Sequence, residues 1–230
     1  MEPVRTEIED AVAVVRLDDG KANALSPPVI EAIHAGLDRA EKDAGAVLLL
    51  GRDGRFCAGF DLTVMRGSAG AARDLVKAGA ELFLRLYELP LPVVIGCTGH
   101  ALAAGGVALL SADSRIGARG GFKIGLNEVA IGMTLPLFAL ELARARLSKR
   151  HFDRGVVHAE LYDPEAAVDA GFLDRVVDSA SLGEEARVEA TRLAALPRAA
   201  FTNTKRRAHA DTIALIRATL DEDLTSLLGG

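Results

Sequence analysis

The sequence predicts an α/β fold that ends in a helical region, and three observations carry this prediction. Short apolar runs of the kind that favour strands recur at residues 11–17, 46–50, 92–97, 115–118 and 173–177. Helical patterns separate these runs and dominate the chain after Pro136. A strand, a helix and a second strand within roughly thirty residues predict a parallel pair of strands. Sheet-forming units therefore come first and helices last.

The first helix is predicted to begin at Ser26, with Pro27 in its first turn. Serine is a favoured N-terminal cap, and a proline in the first turn has no N–H group to lose. A second amphipathic helix is predicted over residues 71–89, where apolar and charged side chains fall on opposite faces. Pro90 ends this helix and begins the approach to the next strand.

The C-terminal half is predicted to contain helices at residues 137–147, 164–170, 181–196 and 211–228. Ser181 and Glu184 have the spacing of a capping box. The last of these helices carries a stripe of Ile and Leu residues on one face. We expect an α/β core over residues 1–194 and a C-terminal helical region over residues 195–230.

Charge and composition exclude several classes of function. The 230-residue chain carries 27 Lys and Arg residues against 32 Asp and Glu residues, a net charge of −5. A nucleic-acid-binding protein usually shows a basic excess, so no such partner is expected. No apolar run approaches the roughly twenty residues of a membrane-spanning helix, and the first residues lack the pattern of a secretory signal. We therefore expect a cytoplasmic protein that binds neither nucleic acid nor membrane.

The two cysteines, Cys57 and Cys97, lie in apolar surroundings. They lack the Cys-x-x-Cys and paired histidine spacing that is typical of zinc sites. Buried free thiols are the expected state, no metal is predicted, and a reducing compartment fits both cysteines.

Two glycine-bearing segments, residues 51–62 and 98–107, each follow a predicted strand and lead into a helix. Turns of this kind direct backbone N–H groups outward, and two such groups that converge can stabilise an oxyanion. Taken singly, each segment is better explained as an ordinary turn between a strand and a helix. The glycine spacings of dinucleotide-binding and P-loop folds are absent from the sequence.

The two segments become informative when they are read together with the motifs before and after them. Residues 19–25, 56–62, 92–113 and 127–136, in this order and spacing, resemble the enoyl-CoA hydratase/isomerase (crotonase) superfamily. The resemblance covers nearly the whole chain. It implies the ClpP/crotonase spiral fold, built from ββα repeats with a C-terminal helical region, and an acyl-CoA thioester as substrate. It also implies a homotrimer or hexamer in which residues 195–230 serve trimerisation.

The resemblance implies specific roles for three residues in catalysis. The backbone N–H groups of Phe60 and Ala104 match the pair that holds the thioester oxygen in this family. Glu128 matches one of the two glutamates that activate water in the family's hydratases. The other glutamate is replaced by Val107, which can neither donate nor accept a proton.

Further residues are implied to contact the substrate. Those matched to the coenzyme A moiety are Lys21, Ala22, Ala24, Ala58, Asp61 and Leu62. Val107 and Met133 are expected to border Glu128 and to raise its pKa by desolvation. Lys205 is matched to a basic residue that contacts the 3′-phosphate of coenzyme A. Asp61 could instead cap a helix, and the basic cluster around Lys205 could instead be a solvated helix face.

A single carboxylate suits a reaction that returns a proton to the same substrate, as in the double-bond isomerases of the family. The predicted function is therefore isomerisation of an enoyl-CoA by Glu128, without a cofactor beyond the coenzyme A of the substrate. An enoyl-CoA hydratase of fatty acid β-oxidation with an unusual acid/base set remains open, as does a non-catalytic acyl-CoA-binding protein. His100 and Cys57 are expected to be structural.

Overall fold

The structure is a computed structural model that describes residues 2–228. The strands are β1 (Val4–Glu9), β2 (Val12–Leu17), β3 (Ala46–Leu50), β4 (Gly54–Cys57), β5 (Val93–Cys97), β6 (Gly99–Leu102), β7 (Ser114–Ala118), β8 (Ile124–Gly125) and β9 (Arg175–Val177). The helices are α1 (Pro27–Asp43), α2 (Leu62–Met65), α3 (Ala69–Glu88), α4 (Ala104–Leu110), α5 (Leu137–Arg146), α6 (Lys149–Val156), α7 (Pro164–Ala170), α8 (Leu182–Ala194) and α9 (Arg198–Leu228).

Two strands followed by a helix recur along the first 146 residues, as the predicted ββα repeats require. The larger sheet has the order β1-β2-β3-β5-β7-β9, and the smaller sheet has the order β4-β6-β8. From the second repeat onward, the first strand joins the larger sheet and the second strand joins the smaller one. The second strands of successive repeats therefore lie side by side, and so do the turns that follow them.

The core explains why the central strands are so apolar. β3 and β5 are fully buried and pair in parallel, and parallel sheets are normally covered on both faces. One face packs against buried side chains of α8, among them Leu182, Ala186 and Ala190. The other face packs against α1 and α3. The predicted parallel pairing of the first two apolar runs is confirmed between β2 and β3.

Several boundaries differ from the sequence-based expectation. Strands β1, β4, β6 and β8 and helix α6 had not been predicted. The last helix begins at Arg198, thirteen positions before the predicted start at residue 211. The predicted capping box at Ser181 is wrong, because the Ser181 hydroxyl donates to the Asp178 carbonyl and caps no N–H group.

Helix α9 packs against α3 and α5 of the same chain. Its predicted apolar stripe is buried there, at Ile213, Ile216, Leu220 and Leu224. The helix thus completes the core of its own chain. The division at residue 195 and a role of this region in trimerisation stay predictions, and residues 229 and 230 lie outside the described residues.

Within residues 2–228, no helix combines the length and the apolar character needed to cross a bilayer. The same residues contain no cluster of three or more His, Cys, Asp or Glu side chains placed to hold a metal ion.

Candidate active site

The two glycine-bearing turns meet because β4 and β6 pair in parallel, with Gly54 opposite Gly99. Gly59 in the first turn has φ +105°. A Cβ atom at Gly59 would lie 3.1 Å from Ala103 Cβ and 3.7 Å from Ala104 N. Glycine is favoured here both by its backbone conformation and by the close approach of the second turn.

The backbone around Phe60 is anchored on both sides. The Leu25 N–H donates to the Gly59 carbonyl at 2.8 Å, and the Asp61 N–H donates to the Leu25 carbonyl at 2.9 Å. This bridge does not use the N–H of Phe60.

The Ala104 N–H group lies at the start of a helix. Ala104 is the first residue of α4, where N–H groups lack acceptors within the helix. Ala103 before it has φ 50° and ψ −122°, a conformation that alanine rarely adopts. This strained residue turns the chain from β6 into α4. The first turn of α4, with Ala104 at its start, therefore lies beside the turn that contains Phe60.

A cavity of about 460 Å³ lies beside these two turns. Its inner wall is buried and apolar, and includes Val76, Phe83, Val107, Phe138 and Ala139. Its rim includes side chains that are exposed or nearly so, namely Leu62, Ile131 and Met133. The last turn of α9 contributes Leu227. The cavity is thus apolar at depth and open at one side, as a pocket for a ligand with an apolar tail would be.

Glu128 is the one ionisable side chain among the described residues that line the cavity. The residue is 9% exposed, and its Oε2 is buried without a hydrogen-bond partner. Burial raises the pKa of Glu128 to about 7, because desolvation disfavours the charged carboxylate. A carboxyl group with this pKa can both accept and return a proton near neutral pH.

The backbone at Glu128 is held by a short 3-10 turn, Val129–Ile131. The N–H groups of Ile131 and Met133 donate to the Glu128 carbonyl at 3.0 and 2.9 Å. Asn127, which sequence reasoning missed, lines the same cavity, and its Oδ1 is also buried without a partner. The position of Asn127 directly before the matched glutamate was the available signal.

Val107 lies buried in the cavity wall, so the site has no second carboxylate at that position. Met133 lies on the rim and is 36% exposed. Both predicted neighbours of Glu128 therefore line the cavity with it.

The loop with Lys21, Ala22 and Ala24 lies against the first turn, since the Ala58 N–H donates to the Ala22 carbonyl at 3.1 Å. Asn23, which had not been predicted, holds this loop in place. Its side-chain amide donates to the carbonyls of Leu17, Arg55 and Phe56, and its φ is +54°. Asparagine tolerates this conformation better than most residues, which was the signal in the sequence.

Asp61 caps helix α2, because its side chain accepts from the Thr63 N–H at 2.7 Å. This was the alternative role considered for the residue. Leu62 follows at the cavity rim with 54% of its surface exposed.

The prediction that Lys205 contacts a phosphate is wrong. The residue is buried, and its Nζ donates to Asp113 Oδ2 at 2.6 Å and to the carbonyls of Leu86 and Leu91. All three ammonium hydrogens are used inside the chain, so no donor remains for a ligand.

His100 and the cysteines are structural, as expected. His100 Nδ1 accepts from the Lys123 N–H at 3.0 Å, and the ring packs edge-on against Phe122. Burial, together with Arg55 and Lys123, lowers the pKa of His100. Burial raises the pKa of Cys57 and of Cys97 to about 12, which keeps both thiols protonated and unreactive.

The fold and the cavity together define an enzyme-like α/β protein with a glutamate beside two strand-to-helix turns. The model of the enoyl-CoA hydratase/isomerase family matches residues 7–226, and the chain belongs to this family. The predicted family is therefore confirmed.

Named relatives agree with this assignment. The chain is 32% identical over 190 residues to human mitochondrial enoyl-CoA delta isomerase 1, covering 80% of this chain and 61% of the human protein. An enoyl-CoA hydratase/isomerase family protein from Pseudomonas syringae superposes with a TM-score of 0.96 at 44% identity, over 98% of each chain. Human mitochondrial delta3-delta2-enoyl-CoA isomerase superposes at 0.94 with 29% identity, over 99% of this chain and 91% of the human one. The predicted crotonase-like fold is confirmed.

Proposed function

We propose that the protein moves a double bond within an acyl-CoA thioester, from C3–C4 to C2–C3, with Glu128 as the single acid and base. One observation carries the proposal. Glu128 alone is ionisable among the described residues that line the cavity, and burial brings its pKa to about 7. Hydration needs two groups that handle protons on water and carbon, whereas isomerisation needs one group that moves a proton between two carbons.

The reaction follows from the proposed roles. The thioester oxygen accepts hydrogen bonds from the N–H groups of Phe60 and Ala104. The Glu128 carboxylate removes a proton from C2, and the electron pair of that C–H bond spreads onto the thioester oxygen to form a dienolate. The dienolate then takes the same proton from Glu128 at C4, which leaves a double bond between C2 and C3. The carboxylate is regenerated, and no water or cofactor is consumed.

We place the coenzyme A moiety over the rim of the cavity, along the loop with Lys21, Ala22 and Ala24 and the turn with Ala58. The hydrogen bond between Ala58 and Ala22 supports this placement, because it makes the loop and the turn one continuous surface. Leu62, which is exposed, and the backbone beside Asp61 extend this surface toward the cavity. No metal or redox cofactor is part of the proposal.

The test is the Glu128→Gln variant, assayed with a 3-enoyl-CoA while double-bond migration is followed. Glutamine keeps the shape of the side chain but can neither take nor return a proton, so kcat should fall by about 10²–10⁴-fold. Glu184→Gln is the matched control, since Glu184 is exposed at the start of α8, and it should retain full activity. Retained turnover in Glu128→Gln would contradict the proposal.

The same wild-type protein should be incubated with a 2-enoyl-CoA. A 3-hydroxyacyl product without double-bond migration would assign a hydratase instead. Binding of acyl-CoA with neither reaction would assign a carrier or binding role.

We further propose a homotrimer or hexamer located in the cytoplasm. The family resemblance supports the assembly, and the two buried free cysteines are compatible with a reducing compartment.

A further inference from the structure

Gly79 occupies the interior of α3, a helix of twenty residues. Glycine lowers helix stability relative to alanine, and α3 does not need it for backbone conformation, because Gly79 is not among the glycines with positive φ. Glycine is needed at this position because there is no room for a side chain. A Cβ atom at Gly79 would overlap Cε1 and Cζ of the Phe60 ring.

The Phe60 ring belongs to an aromatic row at the inner end of the cavity. The ring centroids of Phe60 and Phe83 are 6.4 Å apart, and those of Phe83 and Phe138 are 6.1 Å apart. All three residues line the cavity. Apolar atoms of a ligand are driven to this end, because it offers buried hydrocarbon and aromatic surface.

A Cβ atom at Gly79 would meet the ring of Phe60 and not its backbone. The Leu25 bridge fixes the residues on either side of Phe60, but the overlapping atoms are at the far end of the side chain. A methyl group on α3 would therefore displace the ring away from the helix and into the cavity. The N–H of Phe60 would stay in place.

We infer that Gly79 is a specificity-determining residue: it gives the Phe60 ring a recess in α3 and so sets the length of acyl chain that the cavity admits. The inference rests on the proposed use of this cavity for acyl-CoA. It does not depend on which reaction Glu128 performs.

Gly79→Ala tests this inference through binding of saturated acyl-CoAs, which bind without reacting. Affinities for butyryl-CoA, octanoyl-CoA and dodecanoyl-CoA should be measured by calorimetry. The butyryl-CoA affinity should stay within about twofold of wild type, while each methylene that no longer fits should cost about fourfold. Dodecanoyl-CoA should therefore bind at least about tenfold more weakly.

Gly70→Ala is the matched control. It makes the same substitution in the same helix, at a position where an added Cβ meets no atom within 4 Å. All three affinities should equal those of wild type. The double variant Gly79→Ala with Phe60→Leu should recover dodecanoyl-CoA binding, because leucine is smaller than the displaced ring. If Gly79→Ala alone folds poorly, this double variant still tests the inference.

Two results would overturn the inference: equal weakening at every chain length, or unchanged binding of dodecanoyl-CoA by Gly79→Ala. Failure of the isomerase proposal looks different. Wild-type protein that binds the three ligands but does not convert a 3-enoyl-CoA would remove that proposal and leave the role of Gly79 standing.

Discussion

Glu128 and Lys205 are both buried and ionisable, but only Lys205 has hydrogen-bond partners for its charged group. Glu128 lines the cavity with Oε2 unpartnered. Lys205 lies on the buried side of α9, and its Nζ is 2.6 Å from Asp113 Oδ2 and also donates to two carbonyl groups. The side chains of Lys205 and Asp113 are 4% and 15% exposed.

The same physical effect acts on both groups and has different outcomes. Desolvation raises the pKa of Glu128 and lowers the pKa of Lys205, but Asp113 opposes the shift at Lys205. Asp113 is also tied to the sheet, since it accepts from the Val93 N–H at 2.8 Å. A buried charge with partners in α3 and in two loops holds the fold together. A buried carboxyl without partners is ready to exchange a proton.

The largest change in stability is expected from removing the buried salt bridge between Lys205 and Asp113. Lys205→Met removes the salt-bridge partner of the Asp113 carboxylate, and the free energy of unfolding should fall by about 3–5 kcal/mol. Urea unfolding followed by circular dichroism measures this change. Lys77→Met removes the exposed pair with Asp221 and should leave the unfolding midpoint unchanged. Equal losses of stability in the two variants would show that burial of the Lys205 pair does not cause the loss in Lys205→Met.

Replacing Glu128 is expected to change stability by less, and to raise it rather than lower it. Well below pH 4.5 the carboxyl is protonated in both the folded and the unfolded chain. Between 4.5 and about 7 the folded chain keeps a proton that the unfolded chain has lost, so stability falls as pH rises through this window. Above pH 7 the whole penalty is present, and it is at most about 3 kcal/mol.

Glu128→Gln removes this penalty, because glutamine is neutral at every pH. The variant should be more stable than wild type at pH 8, by up to about 3 kcal/mol, and should match wild type at pH 4.5. Urea unfolding at both pH values, with Glu184→Gln as control, gives the comparison. A pH-independent difference between Glu128→Gln and wild type would mean that ionisation is not the cause.

The two sites also differ in how far the sequence could predict them. Glu128 was identified because it sits in a motif with fixed neighbours. Lys205 was misplaced because a run of basic residues looks the same whether its members face solvent or one of them turns inward. Its partner Asp113 lies 92 positions away, so pairing depends on tertiary structure that local patterns do not contain.

The small sheet was missed for a similar reason, although the turns that it places were recognised. β4, β6 and β8 have two to four residues each, too few for a periodic pattern to develop. They exist because successive repeats place them side by side. The recess at Gly79 was equally hidden, since a helical glycine carries no sign of the distant ring that it accommodates.

The smallest effect is expected from relieving backbone strain, at Ala103 beside the cavity and at Ala11 away from it. Ala103 has φ 50° and ψ −122° beside the cavity, and Ala11 has φ 63° in the turn between β1 and β2. Ala103→Gly should raise the free energy of unfolding by about 1–2 kcal/mol, because glycine adopts this conformation without strain. Ala11→Gly should gain less than about 1 kcal/mol, since the greater freedom of glycine in the unfolded chain offsets most of the relief. Urea unfolding of both variants decides the order. A larger gain at Ala11 would mean that the turn before Ala104 is no more strained than an ordinary hairpin, and that the chain holds this N–H group in place at little cost.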